Sequence, residues 1–264
     1  MNMFQGVLTK MKSHYNTPIQ YYLEFEKEFI HMNSLLGKKL EIQFLGHECL
    51  NCHLSKPIFR QGFCKNCFFE IPSAGDWIMR PELSKAHLDI EDRDLAFEKK
   101  VQIQPHIVYL AVSSNLKVGV TRKSQIPTRW IDQGATSAIP IIEAPNRYLA
   151  GITEVALKGH YADKTNWRQM LQQSDLTIDL QAEKEHSLEH LPKEVKPYIV
   201  RDIEPLHFQF PVESYPNKVK SLNLEKATRY QGKLVGIKGQ YLIFEDQTVF
   251  NIRSNEGVVA RFSV

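Results

Sequence analysis

Residues 106–135 read HIVYLAVSSNLKVGVTRKSQIPTRWIDQGA, and the fold turns on how that stretch is read. It opens on an apolar run, Ile107, Val108, Tyr109, Leu110 and Ala111. Ser113, Ser114 and Asn115 follow as turn formers, and a second run comes after them: Leu116, Lys117, Val118, Gly119 and Val120. Two β-rich runs around a Ser/Asn turn predict a hairpin. Beyond it, Pro127 and Thr128 precede Arg129, and Thr128 is placed to cap a helix there. Farther on, AIPII at 138–142 predicts a short strand. NRYLAGITEVALKGH at 146–160 predicts a helix, because Leu149, Ile152, Thr153, Ala156 and Leu157 fall on or near one face. Glu154 stands off the centre of that face.

These residues resemble the GIY-YIG nuclease motif. Ile107-Val108-Tyr109 sits at its first half and Lys117-Val118-Gly119 at its second, with Thr121 just after. Arg129 stands where that superfamily keeps a catalytic arginine on the helix after the hairpin, and Glu154 is placed like its metal-binding glutamate. The wider chain resembles the bacterial and archaeal family called domain of unknown function 2797, through the strings KVGVTR, PTRWIDQGA and DKTNW. The resemblance implies a nuclease-like core and metal-dependent cleavage of a phosphodiester in DNA or RNA. Glu154 would then hold Mg²⁺ or Mn²⁺, Tyr109 would help remove a proton from the attacking water, and Arg129 would grip the phosphate with its planar fork. The second tyrosine of the motif is Lys117 here. A nearby ammonium favours a phenolate, so Lys117 is expected either to lower the Tyr109 pKa or to contact phosphate. Lys117, Arg122, Lys123 and Arg129 are the expected nucleic-acid contacts. Each has a plainer reading: Tyr109 as a packed strand residue, Gly119 as a close-packing position, Arg129 as a partner for Asp132 on its own helix.

All four cysteines lie in HECLNCHLSKPIFRQGFCKNCFFE. Cys49 and Cys52 form one C-x2-C pair and Cys64 and Cys67 another, with eleven residues between. Each pair can turn two thiolates toward one ion, and two pairs complete a tetrahedral sulfur site suited to structural zinc. His47 and His53 flank the first pair and are left out, because four thiolates already fill the tetrahedron. Phe59, Phe63, Phe68 and Phe69 are read as the small core of this module; the other reading is a stacking surface for nucleic acid beside Lys56, Arg60 and Lys65. Past Pro72, the residues Asp76, Glu82, His87 and Asp89 fit no metal spacing.

The chain of 264 residues is 42% hydrophobic and 24% charged, the balance of an ordinary globular protein. No run reaches membrane-spanning length and MNMFQGVLTK carries no signal core, so a cytoplasmic protein is expected. The net charge of +3 is uneven: residues 106–171 carry 8 basic against 4 acidic groups, whereas 172–205 carry 4 against 8. A modest basic excess around the hairpin suits a polyanion.

Elsewhere, IQYYLEF at 19–25 and LEIQFL at 40–45 predict strands. QAEKEHSLEHLPKEVKP at 181–197 predicts a surface helix ended by Pro192. His186 and His190 are four apart within it, but the spacing offers no third ligand. The last thirty residues alternate strand runs with turn formers. The expectation is an α+β protein: an N-terminal β region with the zinc module at 1–100, a GIY-YIG-like core at 101–200, and a small C-terminal β domain at 201–264. Two other functions remain open at this level. One is a non-catalytic DNA- or RNA-binding protein on the same fold; the other is an enzyme of another class acting on a nucleotide or a modified RNA.

Overall fold

A computed structural model describes residues 2–172 and 176–264. The chain is α+β and divides into two compact units. One comprises Met1–Phe68, Leu171–Gln173 and Phe208–Val264; the other comprises Phe69–Met170 and Ser174–His207. The first unit holds β1 (Met3–Val7), β2 (Lys12–His14), β3 (Gln20–Glu24), β4 (Phe29–His31) and β5 (Lys39–His47). The second holds β6 (His106–Val112), β7 (Leu116–Arg122), β8 (Ser137–Ala144) and β9 (Leu206–His207). The first unit resumes with β10 (Lys220–Ser221), β11 (Arg229–Lys238), β12 (Tyr241–Phe244), β13 (Thr248–Asn251) and β14 (Val258–Ser263). The helices are α1 (Lys65–Glu70), α2 (Leu95–Gln102), α3 (Thr128–Asp132), α4 (Arg147–Leu157), α5 (Trp167–Leu171), α6 (Leu180–Leu188) and α7 (Leu224–Ala227).

The first unit is built on a sheet of order β1-β14-β5-β11-β12-β13-β10, with a smaller sheet β2-β3-β4. The β-forming run at 40–45 becomes the middle of β5, which pairs antiparallel with both β14 and β11. Leu40 and Ile42 are fully buried there with Leu234, Ala260 and Phe262. Glu41 is also buried, and Arg229 Nη2 answers it at 2.6 Å from the neighbouring strand. The strands expected in the N-terminal and C-terminal regions thus share one sheet.

In the second unit the order is β7-β6-β8-β9. The expected hairpin is β6 and β7, joined through Ser113, Ser114 and Asn115, with Tyr109 opposite Gly119 and Ala111 opposite Lys117. Every residue of β6 is buried, which explains why its run is apolar without alternation: a central strand covered on both faces has no polar side to show. The pleat sends Val108, Leu110 and Val112 to one face, where they meet Ala150 and Leu157 of α4 and Leu180 of α6. Tyr109 goes to the other face, edge-on to Trp130 of α3 at 5.5 Å between ring centroids. Asn146 caps α4 by accepting from Leu149 N at 2.9 Å. Thr128 does not cap α3 as expected; it is the first helical residue, Pro127 is the N-cap, and no side-chain cap is made. Among the described residues no helix is long and apolar enough to cross a membrane.

Candidate functional site

Gly119 and Gln133 organise the hairpin site. A Cβ on Gly119 would lie 2.7 Å from the Tyr109 hydroxyl oxygen and 2.8 Å from Cζ, so the tyrosine lies across the glycine of the paired strand. This close approach is what the glycine allows. The Tyr109 hydroxyl donates to Gln133 Oε1 at 3.2 Å, and Lys117 Nζ donates to the same oxygen in a shorter bond. Gln133 is the C-cap of α3. It lies inside the PTRWIDQGA string, yet a glutamine carries no spacing signal that marks it, and the sequence reading passed over it.

Tyr109 is 1% exposed, Lys117 6% and Glu154 9%. Burial pushes the Tyr109 phenol up, outweighing the Arg129 guanidinium and the Gln133 contact, which favour the phenolate; the Glu154 carboxylate adds to the rise. The expected lowering by Lys117 is therefore not what governs this tyrosine, because a fully enclosed phenolate loses more hydration than nearby cations return. Lys117 is itself the shifted base. Burial lowers its amine to about 8, with Arg129 adding to the fall and Glu154 opposing it. Tyr109, Lys117, Arg129 and Glu154 thus lie within electrostatic reach of one another. Arg122 ends β7 and acts on Arg147, which also feels Glu154 and Arg129; Lys123, in the turn that follows, is held by Glu143 at 2.7 Å.

Glu154 has neighbours that the sequence left unassigned. Burial raises its pKa, Lys158 opposes the rise, and Glu82 adds to it. Lys158 Nζ stands 3.5 Å from Glu154 Oε2. Glu82 comes from a 3-10 turn at Pro81–Leu83. That turn lies against Gly151, where a Cβ would be 2.2 Å from the Glu82 backbone nitrogen. Gly151 and Glu154 are three apart and share a helix face, so the glycine brings Glu82 beside Glu154. Glu82 Oε2 is buried and has no hydrogen-bond partner. Arg147, on the same face, donates to the carbonyls of Trp77 at 3.0 Å and Ile78 at 2.7 Å and holds this segment on α4.

In the first unit, Cys49, Cys52, Cys64 and Cys67 bring their sulfurs within 4.8 Å of one another, a set that can hold a metal ion. The turns are specific. His53 N donates to Cys49 O at 2.9 Å, and Leu50 N to Gly62 O at 2.9 Å. Gly62 adopts φ +78, and a Cβ there would lie 2.3 Å from Leu50 Cδ1. Cys64 N donates to Cys49 Sγ at 3.3 Å, and Asn51 Nδ2 to Cys67 Sγ at 3.4 Å. Burial pushes Cys49 up, but the amides of Cys52, Cys64 and Asn51 outweigh it and bring the thiol to about 6. For Cys67 the Asn51 contact lowers the value, and burial with the other three thiols overrides it and pushes it up to about 12. At Cys67 the other three thiols oppose ionisation, which a shared cation relieves. His47 pairs with Glu225 at 2.8 Å and His53 with Glu48 at 3.3 Å, outside the sulfur cluster. Phe59 and Phe69 are exposed, and Phe63 and Phe68 only partly buried. Phe59 and Phe68 meet edge-on at 5.4 Å between ring centroids, so the expected phenylalanine core is formed in part, with two of the four rings left largely on the surface.

No curated protein and no solved structure matches the chain significantly. A family model described as "Protein of unknown function (DUF2797)" matches residues 37–260, which takes in the four cysteines, the hairpin and the first half of the last strand, and the chain belongs to that family.

Proposed function

We propose that the protein is a metal-dependent phosphodiesterase of GIY-YIG type that acts on DNA or RNA. One observation carries the reading. A hairpin, a helix, a strand and a second helix, in that order, bring Tyr109, Lys117, Arg129 and Glu154 within reach of one another. Arg129, only partly buried, grips the phosphate by its planar fork. Lys117 takes the proton from the attacking water. Its amine is brought to about 8, near the range in which a general base works best. Tyr109 remains protonated, and with Gln133 it orients Lys117. The residues fit a divalent ion such as Mg²⁺ or Mn²⁺: Glu154 supplies one carboxylate and Glu82 the oxygen left without a partner. One or two carboxylates with waters are the usual protein share for Mg²⁺. When bound, the ion neutralises charge on the leaving oxygen.

The four cysteines are proposed as a structural zinc ribbon. Four thiolates leave no open coordination position, and amide donors to sulfur support such a set. A fluorescent panel of single- and double-stranded DNA and RNA with Mg²⁺ or Mn²⁺ tests the catalytic reading. Cleavage by the parent is expected to fall about 10²-fold or more in Lys117→Met and in Glu154→Gln. Its rate should rise with pH through about 8, since the base acts as the neutral amine. Salt-dependent binding with no cleavage under either ion would leave a nucleic-acid-binding protein on this fold.

A further inference from the structure

We infer a further metal site, separate from the cysteines and from Glu154, formed by His186, Glu189 and His190 at the end of α6. One ligand atom from each of these residues lies within 4.8 Å of the others. The helix supplies that closeness. Positions three and four apart share a face, and the chain tightens after Leu188, with Glu189 N donating to His186 O at 3.3 Å and His190 N to Ser187 O at 3.2 Å. Sequence spacing pointed to the two histidines. The third ligand was hidden because a glutamate on a charged helix looks like solvated surface.

Two further observations point to a ligand. His190 Nε2 is buried and has no hydrogen-bond partner, so an imidazole nitrogen is withheld from water with nothing in the chain to satisfy it. The His190 ring is also held from below. His160, just past the end of α4, stacks on it with centroids 3.6 Å apart and planes 11° from parallel. His186 stands across it at 85° and 5.2 Å. A ring stacked face to face directs its nitrogens alongside those of its neighbour and not at the same point. His160 therefore supports His190 and is not itself a ligand.

The donor set selects the metal. Two imidazoles and one carboxylate suit a borderline divalent transition ion such as Zn²⁺, Co²⁺ or Ni²⁺ over Mg²⁺ or Ca²⁺. Three protein ligands leave a position for water, and His186 and Glu189 are exposed, so the ion exchanges with solvent. The string HSLEH shares its H-x-x-E-H spacing with a class of zinc peptidases. Among the described residues no further carboxylate, histidine or cysteine joins this cluster, and α6 ends at Leu188, with Glu189 as its C-cap. The site therefore binds an ion without a peptidase's full ligand set. A filled site would tie the end of α6 in place against His160, and so against the end of the helix that carries Glu154.

The test uses the full chain with its cysteine site already zinc-loaded, dialysed at micromolar free Zn²⁺, with metal counted per chain by mass spectrometry. The parent is expected to hold about two zinc ions, and His186→Ala and His190→Ala about one. Co²⁺ added to parent that carries zinc at the cysteines alone should give visible bands without thiolate charge transfer, and these should be absent in both variants. Both histidines lie outside the fully buried core, so the variants should keep the parent's circular dichroism. A parent that holds one ion, or variants that keep the second, would overturn the site. Neither result bears on cleavage.

Discussion

Gly119 has a role that only its partner reveals. Its missing side chain makes room for the Tyr109 hydroxyl, which reaches Gln133 and through it Lys117. Gly119→Ala should displace the ring and lower cleavage about tenfold or more, while far-ultraviolet circular dichroism stays unchanged. Unchanged cleavage would detach Tyr109 from the site. His106 makes a different point at the same scale. It is fully buried, its Nδ1 lies 2.7 Å from the Gln104 carbonyl, and burial lowers its pKa from 6.5 to about 4 despite that bond. The unfolded chain therefore takes up a proton between about pH 6.5 and 4 that the folded chain refuses. The stability this group contributes is complete above 6.5 and is lost as the pH falls toward 4, by about 3 kcal/mol. All three tryptophans, Trp77, Trp130 and Trp167, lie in the same unit as His106, so urea unfolding followed by tryptophan emission reads this unit. His106→Gln should flatten the loss between pH 6.5 and 4.5, and a variant with the parent's pH slope would remove His106 as its cause.

At the scale of elements, α4 is the piece most of the site leans on. It carries Glu154, receives the Glu82 turn at Gly151 and anchors Trp77 and Ile78 through Arg147. Its start depends on Asn146, whose side chain accepts from Leu149 N. Asn146→Ala should lower the stability of this unit by about 1 kcal/mol, read from the same urea transitions. A loss below a few tenths would mean that packing alone sets where the helix begins. Hairpin, strand and helix were legible here because each has a strong local period: an unbroken apolar strand, a Ser/Asn turn, and apolar residues at helical spacing. The cap of α3 was not, since Pro127 and Thr128 both suit a helix start and only the backbone path separates them.

For the whole molecule, a metal ion held by the four cysteines would be the main lever on the first unit. Its four thiols come together just past the end of β5, and the phenylalanines around them are only partly buried or exposed. Chelation should raise hydrogen exchange across residues 49–70 and open that stretch to protease. A metal-free protein that stays protected there would refute a structural ion. What the sequence determined by itself is local and periodic. It set the α+β class, the hairpin, the C-x2-C pairs and the helix of Glu154, because each is written in residues that are near neighbours in the chain. Only the tertiary structure decided which distant groups meet. Glu82 lies beside Glu154, far along the chain, because Gly151 lets a turn touch a helix. Gln133 joins Tyr109 to Lys117 because Trp130 of α3 packs edge-on to Tyr109 and brings the end of that helix to the hairpin. β1 and β5 lie against β14 because strand pairing is chosen by buried faces and not by position along the chain. Tyr109 and Lys117 carry perturbed protons for the same reason: burial, which sets both, belongs to the folded chain and to no residue alone.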